Sequence, residues 1–145
     1  MSEKWIIPCN TKFFDINEHL KHNDTVVWKN SFTIKKGDVV YIYLGAPYRL
    51  IKYKGCVVSD EVSEELLDQH SYAKVEKKSN NYFSKKIKYI QIKIEGVFND
   101  NAITYEALKD HGLGQVQIQA RIPRGVLYYI QDVEKNQLEV LDYAH

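Results

Sequence analysis

Alternation of apolar and polar side chains is the dominant pattern in this sequence, and it predicts a sheet. Between positions 87 and 97, Ile92 and Ile94 alternate with Gln91, Lys93 and Glu95. Such alternation is typical of a strand with one buried and one polar face. Runs rich in β-branched or aromatic residues, or alternating again, predict further strands, at 5–9, 38–44, 49–59 and 115–122.

Short helices are predicted between these strands. Their start and stop signals place them at about 15–22, 63–69, 105–110 and 123–131. Asp15 and Glu18, for example, have the spacing of a capping box. The order of elements predicts an α+β fold, in which a curved mixed sheet or partly open barrel carries short flanking helices.

A tryptophan stands in a short, turn-bounded stretch before position 38. Trp28 is followed by the amide of Asn30 and the hydroxyl of Ser31. A flat aromatic wall with polar groups beside it suits a planar, hydrogen-bonding ligand such as a base. The alternative is that Trp28 fills the core, as tryptophan commonly does.

Two other segments carry unusual residues for their context. Asn10 follows a predicted strand directly, and a Gly-Ala-Pro-Tyr corner follows another at 45–48. We expect a pocket bounded by Trp28, with Asn10 and Ser31 reaching into it and Pro47 or Tyr48 at its rim. Core filling alone does not call for such polar neighbours, because buried polar groups need partners.

Composition limits the function classes. The 145 residues suggest one domain, 1–145, and the net charge of +1 excludes a general basic field. Without a signal peptide, Cys9 and Cys56 are expected to be reduced thiols in a cytoplasmic protein. No apolar run approaches the roughly 18 residues that a membrane span needs, so no membrane partner is expected.

Positive charge is concentrated between positions 71 and 86. Lysines with interleaved aromatic residues suit contact with a nucleic-acid backbone, whereas a solvated loop is the alternative. The lysines of this stretch that we expect at phosphates are Lys77, Lys78, Lys85 and Lys86. Arg121 would share a polar strand face with Gln115, Gln117 and Gln119, where guanidinium and amide groups suit phosphates and base edges. A merely polar strand face is the alternative there.

Signatures of catalysis are missing from the sequence. It has no nucleophile elbow, no Cys-x-x-Cys pair, no His-Glu-x-x-His and no glycine-rich phosphate loop. His19 and His22 lack further ligands at metal spacing. We therefore expect a binding module rather than an enzyme, with no metal and no cofactor.

Residues 5–15 fit the pattern W-x-x-P-x-N-x-x-x-[YF]-D. This stretch resembles the N-terminal signature of the EVE domain, a PUA-like family related to YTH readers of modified bases. Residues 28–31 resemble the aromatic and polar element that follows the first helix in that family, and 37–43 its G-D-x-V-Y-x-Y strand. The late V-Q-x-x-x-R segment is matched at 116–121, although 118–120 depart from the Gly-Pro-Arg-like run that is common there.

The resemblance implies a curved, barrel-like sheet and a pocket that takes a flipped, modified base, such as a methylated cytosine or adenine. The pocket positions it carries over are Trp28 as a wall, Asn10, Asn30 and Ser31 as hydrogen-bonding groups, and Phe14, Pro47 and Tyr48 at the mouth. Because some relatives are fused to restriction nucleases or ATPases, a separate nuclease or ATPase subunit is a further partner that the resemblance allows.

The sequence leaves three candidate functions open. The first is a non-catalytic module that reads a modified base in DNA or RNA. The second is a small-molecule or protein-interaction module with the same fold and pocket. The third is an RNA-processing enzyme whose site is unrecognised. Positive charge at the mouth of the pocket would favour the first, since a nucleic-acid backbone needs it and a small ligand does not.

Overall fold

The computed structural model describes residues 2–30, 32–62 and 88–141 of the chain. The strands in these ranges are Lys4–Cys9 (β1), Thr25–Asn30 (β2), Val39–Leu44 (β3), Leu50–Ser59 (β4), Lys88–Phe98 (β5), Ala120–Arg121 (β6) and Leu138–Val140 (β7). The helices are Ile16–His19 (α1), Tyr105–Asp110 (α2) and Arg124–Gln137 (α3). None of the helices in this part of the chain is long and apolar enough to cross a membrane.

The described strands form one mixed sheet. Its order is β2-β5-β4-β3-β1-β6, and β7 also pairs with β5. Strands β1 and β3 run parallel, while the other pairs are antiparallel. The sheet curls so that its two ends meet: the amide of Gln119, just before β6, donates to the carbonyl oxygen of Lys29 in β2. This half-barrel with short helices confirms the predicted α+β fold class.

Both faces of the sheet are buried, and alternation decides which side chain enters which core. In β1, Trp5 and Ile7 lie in one core together with Ile16 of α1. Ile6 points the other way, into a second core with Val126 and other apolar residues of α2 and α3. The period of two therefore holds across the sheet, as the sequence predicts.

The strands predicted at 5–9, 38–44, 49–59 and 87–97 are confirmed to within one residue. Helix α1 is shorter than predicted, because the backbone bonds from Lys21 to Glu18 and from His22 to His19 form tighter turns beyond it. Helix α3 is longer, since Val133 continues the apolar stripe of Val126 and Ile130. The helix predicted at 63–69 lies outside the described residues.

The strand predicted at 115–122 is wrong for most of its length. Only Ala120 and Arg121 pair with β1. Ile118 is 63% exposed and Gln119 5% exposed, the reverse of the predicted faces. The pairing of β1 with β6 stops at Ile6. The next residue of β1 whose backbone nitrogen faces β6 is Pro8, and because proline has no N–H it cannot donate the bond that would continue the pairing.

A glycine in β4 allows the close approach of β5. A Cβ at Gly55 would lie 2.5 Å from Ile92 Cγ2 and 2.9 Å from the carbonyl oxygen of Lys93. We expect Gly55→Ala to lower the free energy of unfolding by about 1–3 kcal/mol, since paired backbone cannot move aside cheaply. Urea unfolding measures this, with Gly114→Ala as control, because a Cβ at Gly114 meets nothing within 4 Å. Equal midpoints for the two variants would contradict the prediction.

Candidate functional site

Two turns emerge side by side from the parallel strands β1 and β3. The chain leaves β1 through residues 10–13, here the Asn10 turn, and leaves β3 through residues 45–48, here the Gly45 turn. The amide of Gly45 donates to the carbonyl oxygen of Cys9 at 3.0 Å, which continues the parallel pairing to this point. The structure thus brings together two segments that the sequence predicts at one pocket.

Each turn is closed by its own backbone. The amide of Phe13 donates to the carbonyl oxygen of Asn10 at 3.0 Å. In the same way, the amide of Tyr48 donates to the carbonyl oxygen of Gly45 at 3.0 Å. In the Asn10 turn the side-chain oxygen of Asn10 also accepts from the amide of Lys12 at 3.0 Å. These bonds fix the shape of each turn locally.

A cleft in two adjoining parts, of about 340 and 350 Å³, lies beside these turns, and we name it the turn cleft. Both parts are lined by Tyr43, Gly45, Ala46, Val116 and Gln117. One part adds Pro8, Cys9, Asn10 and Lys12, and the other adds Arg49, Tyr105 and Gln115. The described lining therefore combines three amide side chains with two cations and contains no carboxylate.

Tyrosine rings contribute to the lining of the turn cleft. Tyr43 is 7% exposed and meets Tyr105 edge to face, with 6.1 Å between ring centroids. Burial raises the pKa of the Tyr43 hydroxyl, and the nearby Arg49 charge opposes part of that rise. Tyr43 is consequently neutral near pH 7 and presents a hydroxyl rather than a phenolate.

Arg49 is held in an unusual backbone conformation. Its φ is 53°, in the left-handed region that favours glycine. Its carbonyl oxygen accepts from the amide of Tyr105 at 2.9 Å, and this bond links the end of the Gly45 turn to α2. Non-glycine residues in this region cost about 1–3 kcal/mol and cluster at functional sites.

Trp28 does not lie at the surface. It belongs to β2, opposite Ile90 of β5, and only 2% of it is exposed. Its ring packs edge to face with Phe14, at 5.9 Å between centroids, and Phe14 is also buried. A base can stack on Trp28 only after this packing opens, and neither ring lines the turn cleft.

Asn30 lies at the far end of β2 from the Asn10 turn. Its amide donates to the carbonyl oxygen of Ile34 at 2.9 Å and its side-chain oxygen accepts from the amide of Phe32 at 3.2 Å. It thereby shapes the chain after β2 and borders a separate cleft of about 540 Å³. Ser31 lies outside the described residues.

Of the predicted backbone contacts, only Arg121 lies among the described residues, and it does not line the turn cleft. Arg121 pairs with Trp5 at the opposite end of β1, with its guanidinium 5.4 Å from the indole ring. The lysines at 77, 78, 85 and 86 lie outside the described residues. Lys12, Tyr43 and Tyr105 line the cleft without having been predicted to. Lys12 and Tyr43 had a signal, since each lies inside one of the quoted signatures, whereas Tyr105 had none.

Cys9 lines the turn cleft without being a reactive thiol. Burial, followed by the charge of Asp15, raises the pKa of the Cys9 thiol to about 12. Only thiolates are effective nucleophiles and metal ligands, so Cys9 is inert near neutral pH. In the ranges that the structure describes, no three His, Cys, Asp or Glu side chains are grouped to hold a metal ion.

A second polar cluster lies between the sheet and α3. The Tyr41 hydroxyl donates to one carboxylate oxygen of Glu134. Lys54 Nζ lies 2.9 Å from the other carboxylate oxygen of the same side chain. Burial and the Glu134 carboxylate raise the pKa of Tyr41, which stays protonated as the donor. All three side chains satisfy one another, so this cluster fastens α3 to the sheet.

No family model matches the sequence, and no curated protein sequence matches it either. The structure does resemble solved structures. Against the ASCH protein from Zymomonas mobilis the TM-score is 0.61 at 12% identity, covering 90% of this chain and 94% of that one. A hypothetical protein from Leishmania major gives 0.62 at 14% identity, covering 93% and 96% of the two chains.

A third similar structure is the protein PSPTO5229 from Pseudomonas syringae. Its TM-score is 0.61 at 16% identity, and the match covers 90% of this chain and 98% of that one. In each match at least 90% of both chains is covered, so the similarity is not confined to one part of the fold. The fold of this chain is therefore the PUA-like fold seen in ASCH proteins.

Proposed function

We propose that this protein is a non-catalytic nucleic-acid-binding module that binds through the turn cleft. The observation that carries the proposal is the charge of that cleft: Lys12 and Arg49 line it, and none of its described lining residues is acidic. Cations at the mouth of a pocket attract phosphates. The NH2 groups of Asn10 and Gln115 can donate to base edges and the side-chain oxygen of Gln117 can accept from them, since the bonds Lys12–Asn10 and Gln117–Gln115 use the other amide atoms.

The other described clefts differ in charge. The cleft beyond β2 has Asp60 and Glu61 in its lining together with lysines. The shallow one beside α3 has Asp132 and Glu134. Carboxylates repel a phosphate backbone, so these two clefts suit it less well. The PUA-like fold and the EVE-like signature support the same function for the chain.

We further propose that the bound base is modified, as the EVE resemblance implies, and that Trp28 forms one wall of its pocket. Such a base would enter between β2 and the chain just before β6, where Gln119 now joins the two ends of the sheet. Flipping a base costs a few kcal/mol, which stacking and hydrogen bonds would have to offset. A panel of oligonucleotides that differ in one methylated base tests this preference by competition binding.

The double variant Lys12→Ala, Arg49→Gly tests the cleft. Glycine suits the left-handed φ of Arg49, so this variant is expected to stay folded. Each phosphate contact contributes about 0.7 to 0.9 to the slope of log affinity against log salt, so the double variant should reduce the slope by about 1.5. Fluorescence anisotropy at several salt concentrations measures the slope.

The matched control is the double variant Lys21→Ala, Lys109→Ala. It removes two exposed lysines, one just after α1 and one in α2. Its slope should equal that of the wild type. Equal slopes for both double variants would remove the turn cleft from the proposal. Absence of nucleic-acid binding by the wild type would favour the small-molecule or protein-interaction alternative.

A further inference from the structure

We infer that the turn cleft selects an unpaired strand, with bases stacked on the rings of Phe13 and Tyr48 at its rim. This inference rests on the proposed function and adds the class of nucleic acid and the residues that select it. Phe13 is 68% exposed and Tyr48 43% exposed. Water therefore covers much of two large rings that a ligand could bury.

The two rings occupy equivalent places. Phe13 is the last residue of the Asn10 turn and Tyr48 the last of the Gly45 turn, and in each turn its amide closes the hydrogen bond to the first residue. The strands that carry the turns are paired in parallel, so the turns begin about 4.8 Å apart. Each turn also places a cation next to its ring in the chain, Lys12 before Phe13 and Arg49 after Tyr48.

The rim differs from the other exposed apolar side chains of the described chain. Val58, Tyr128 and Val140 are exposed at scattered places, and Phe32 lines the separate cleft beyond β2, which carries Asp60 and Glu61. Phe13, Tyr48 and Ile118 instead are each the direct neighbour along the chain of a residue that lines the turn cleft, namely Lys12, Arg49 and Gln117. Apolar groups of this size around cations and amides form a surface for bases as well as phosphates.

An unpaired strand fits this surface better than a duplex does. Base faces in a duplex are stacked on one another, whereas an unpaired strand offers them to aromatic side chains. The amide of Gln117 donates to the side-chain oxygen of Gln115 at 2.8 Å, which leaves the Gln115 NH2 group and the Gln117 oxygen for base edges that pairing would occupy. With two cations in the described lining, the cleft offers a duplex few phosphate contacts in return.

The test compares one oligonucleotide of about 12 nucleotides, within the range of known single-strand sites, as a single strand and annealed to its complement. DNA and RNA versions are both titrated by fluorescence anisotropy. The wild type should bind the single strand more tightly. Phe13→Ala and Tyr48→Ala should each weaken single-strand binding by about 5- to 150-fold, the range of one lost base stack.

Two controls separate stacking from folding and charge. Tyr128→Ala removes a ring on α3 that is 62% exposed, away from the cleft lining, and should leave affinity unchanged. Tyr48→Phe keeps the ring and should bind like the wild type. Both alanine variants should retain the wild-type salt slope, since they remove no charge, and their circular dichroism spectra should be unchanged.

The outcomes distinguish this inference from the proposed function. If the Lys12→Ala, Arg49→Gly variant loses affinity while Phe13→Ala and Tyr48→Ala do not, the cleft binds nucleic acid but the stacking inference is overturned. Equal wild-type affinity for single strand and duplex also overturns it. If the wild type binds neither form, both the proposed function and this inference fail.

Discussion

Asp38→Ala is expected to lower the free energy of unfolding by about 3 kcal/mol or more, measured by urea unfolding near pH 7. Asp38 is 4% exposed, and its carboxylate accepts three hydrogen bonds of 3.0 Å. The donors are the amides of Glu3 and Lys35 and the indole Nε1 of Trp5. Alanine would leave these donors without their acceptor, and an unpaired buried donor costs about 1–3 kcal/mol.

The same carboxylate makes stability depend on pH. Burial alone would raise the pKa of Asp38, but the hydrogen bonds from Glu3, Lys35 and Trp5, and the Lys35 charge, outweigh it and lower the pKa. Because the pKa of Asp38 is lower in the folded state, its carboxylate stabilises the fold when the pH is above the unfolded pKa of about 3.9. This stabilisation is lost as the pH falls through the folded pKa. The difference in unfolding free energy between wild type and Asp38→Asn should therefore shrink on acidification below about pH 4.

Asp100→Ala is the matched control for Asp38→Ala. Asp100 pairs with Lys52 at 2.7 Å, but its side chain is 62% exposed. Such surface pairs contribute about 0–1 kcal/mol, so this variant should change stability little. Similar losses in the two alanine variants, or a difference between wild type and Asp38→Asn that grows at low pH, would contradict the account of Asp38.

The sequence could predict the strands because burial leaves a local signature: alternation where one face is more buried than the other, as in β5, and an unbroken apolar run where both faces are buried, as in β3. The alternation around Ile92 and Ile94 survives in β5, where both side chains are buried and their neighbours are less so. It failed at Ile118 and Gln119, where the partner strand presents a proline and Gln119 finds its acceptor in β2. That acceptor is 90 residues away in sequence, and no local pattern reports it.

The site could be predicted only in part, for a related reason. That Asn10 and the Gly45 turn meet depends on parallel pairing of β1 with β3, and side-chain period is the same in parallel and antiparallel strands. Asn30 suggested a pocket because its amide follows a tryptophan. In the structure the Asn30 amide donates to the carbonyl oxygen of Ile34, four residues later. A local structural role therefore explains why an asparagine stands at this position.

Trp28→Ala is expected to lower the free energy of unfolding by about 3–5 kcal/mol, the cost of truncating a buried aromatic side chain. The sequence alone predicts that this variant stays folded and loses its ligand. The structure changes that expectation, because the Trp28 ring is 2% exposed and packs against Phe14 in the core. Thermal and urea unfolding measure the loss, and a stability within about 1 kcal/mol of the wild type would contradict burial of the ring.

Trp28→Phe then tests the ring as a pocket wall in a protein that stays folded. Phenylalanine fills much of the same space, so we expect a smaller loss of stability than for alanine. If a modified base stacks on Trp28, the smaller ring should reduce the preference for the methylated oligonucleotide. The salt slope should not change, since Lys12 and Arg49 are intact and phosphate contacts carry no sequence information. An unchanged preference in Trp28→Phe would leave Trp28 a core residue and place recognition of the base wholly in the turn cleft.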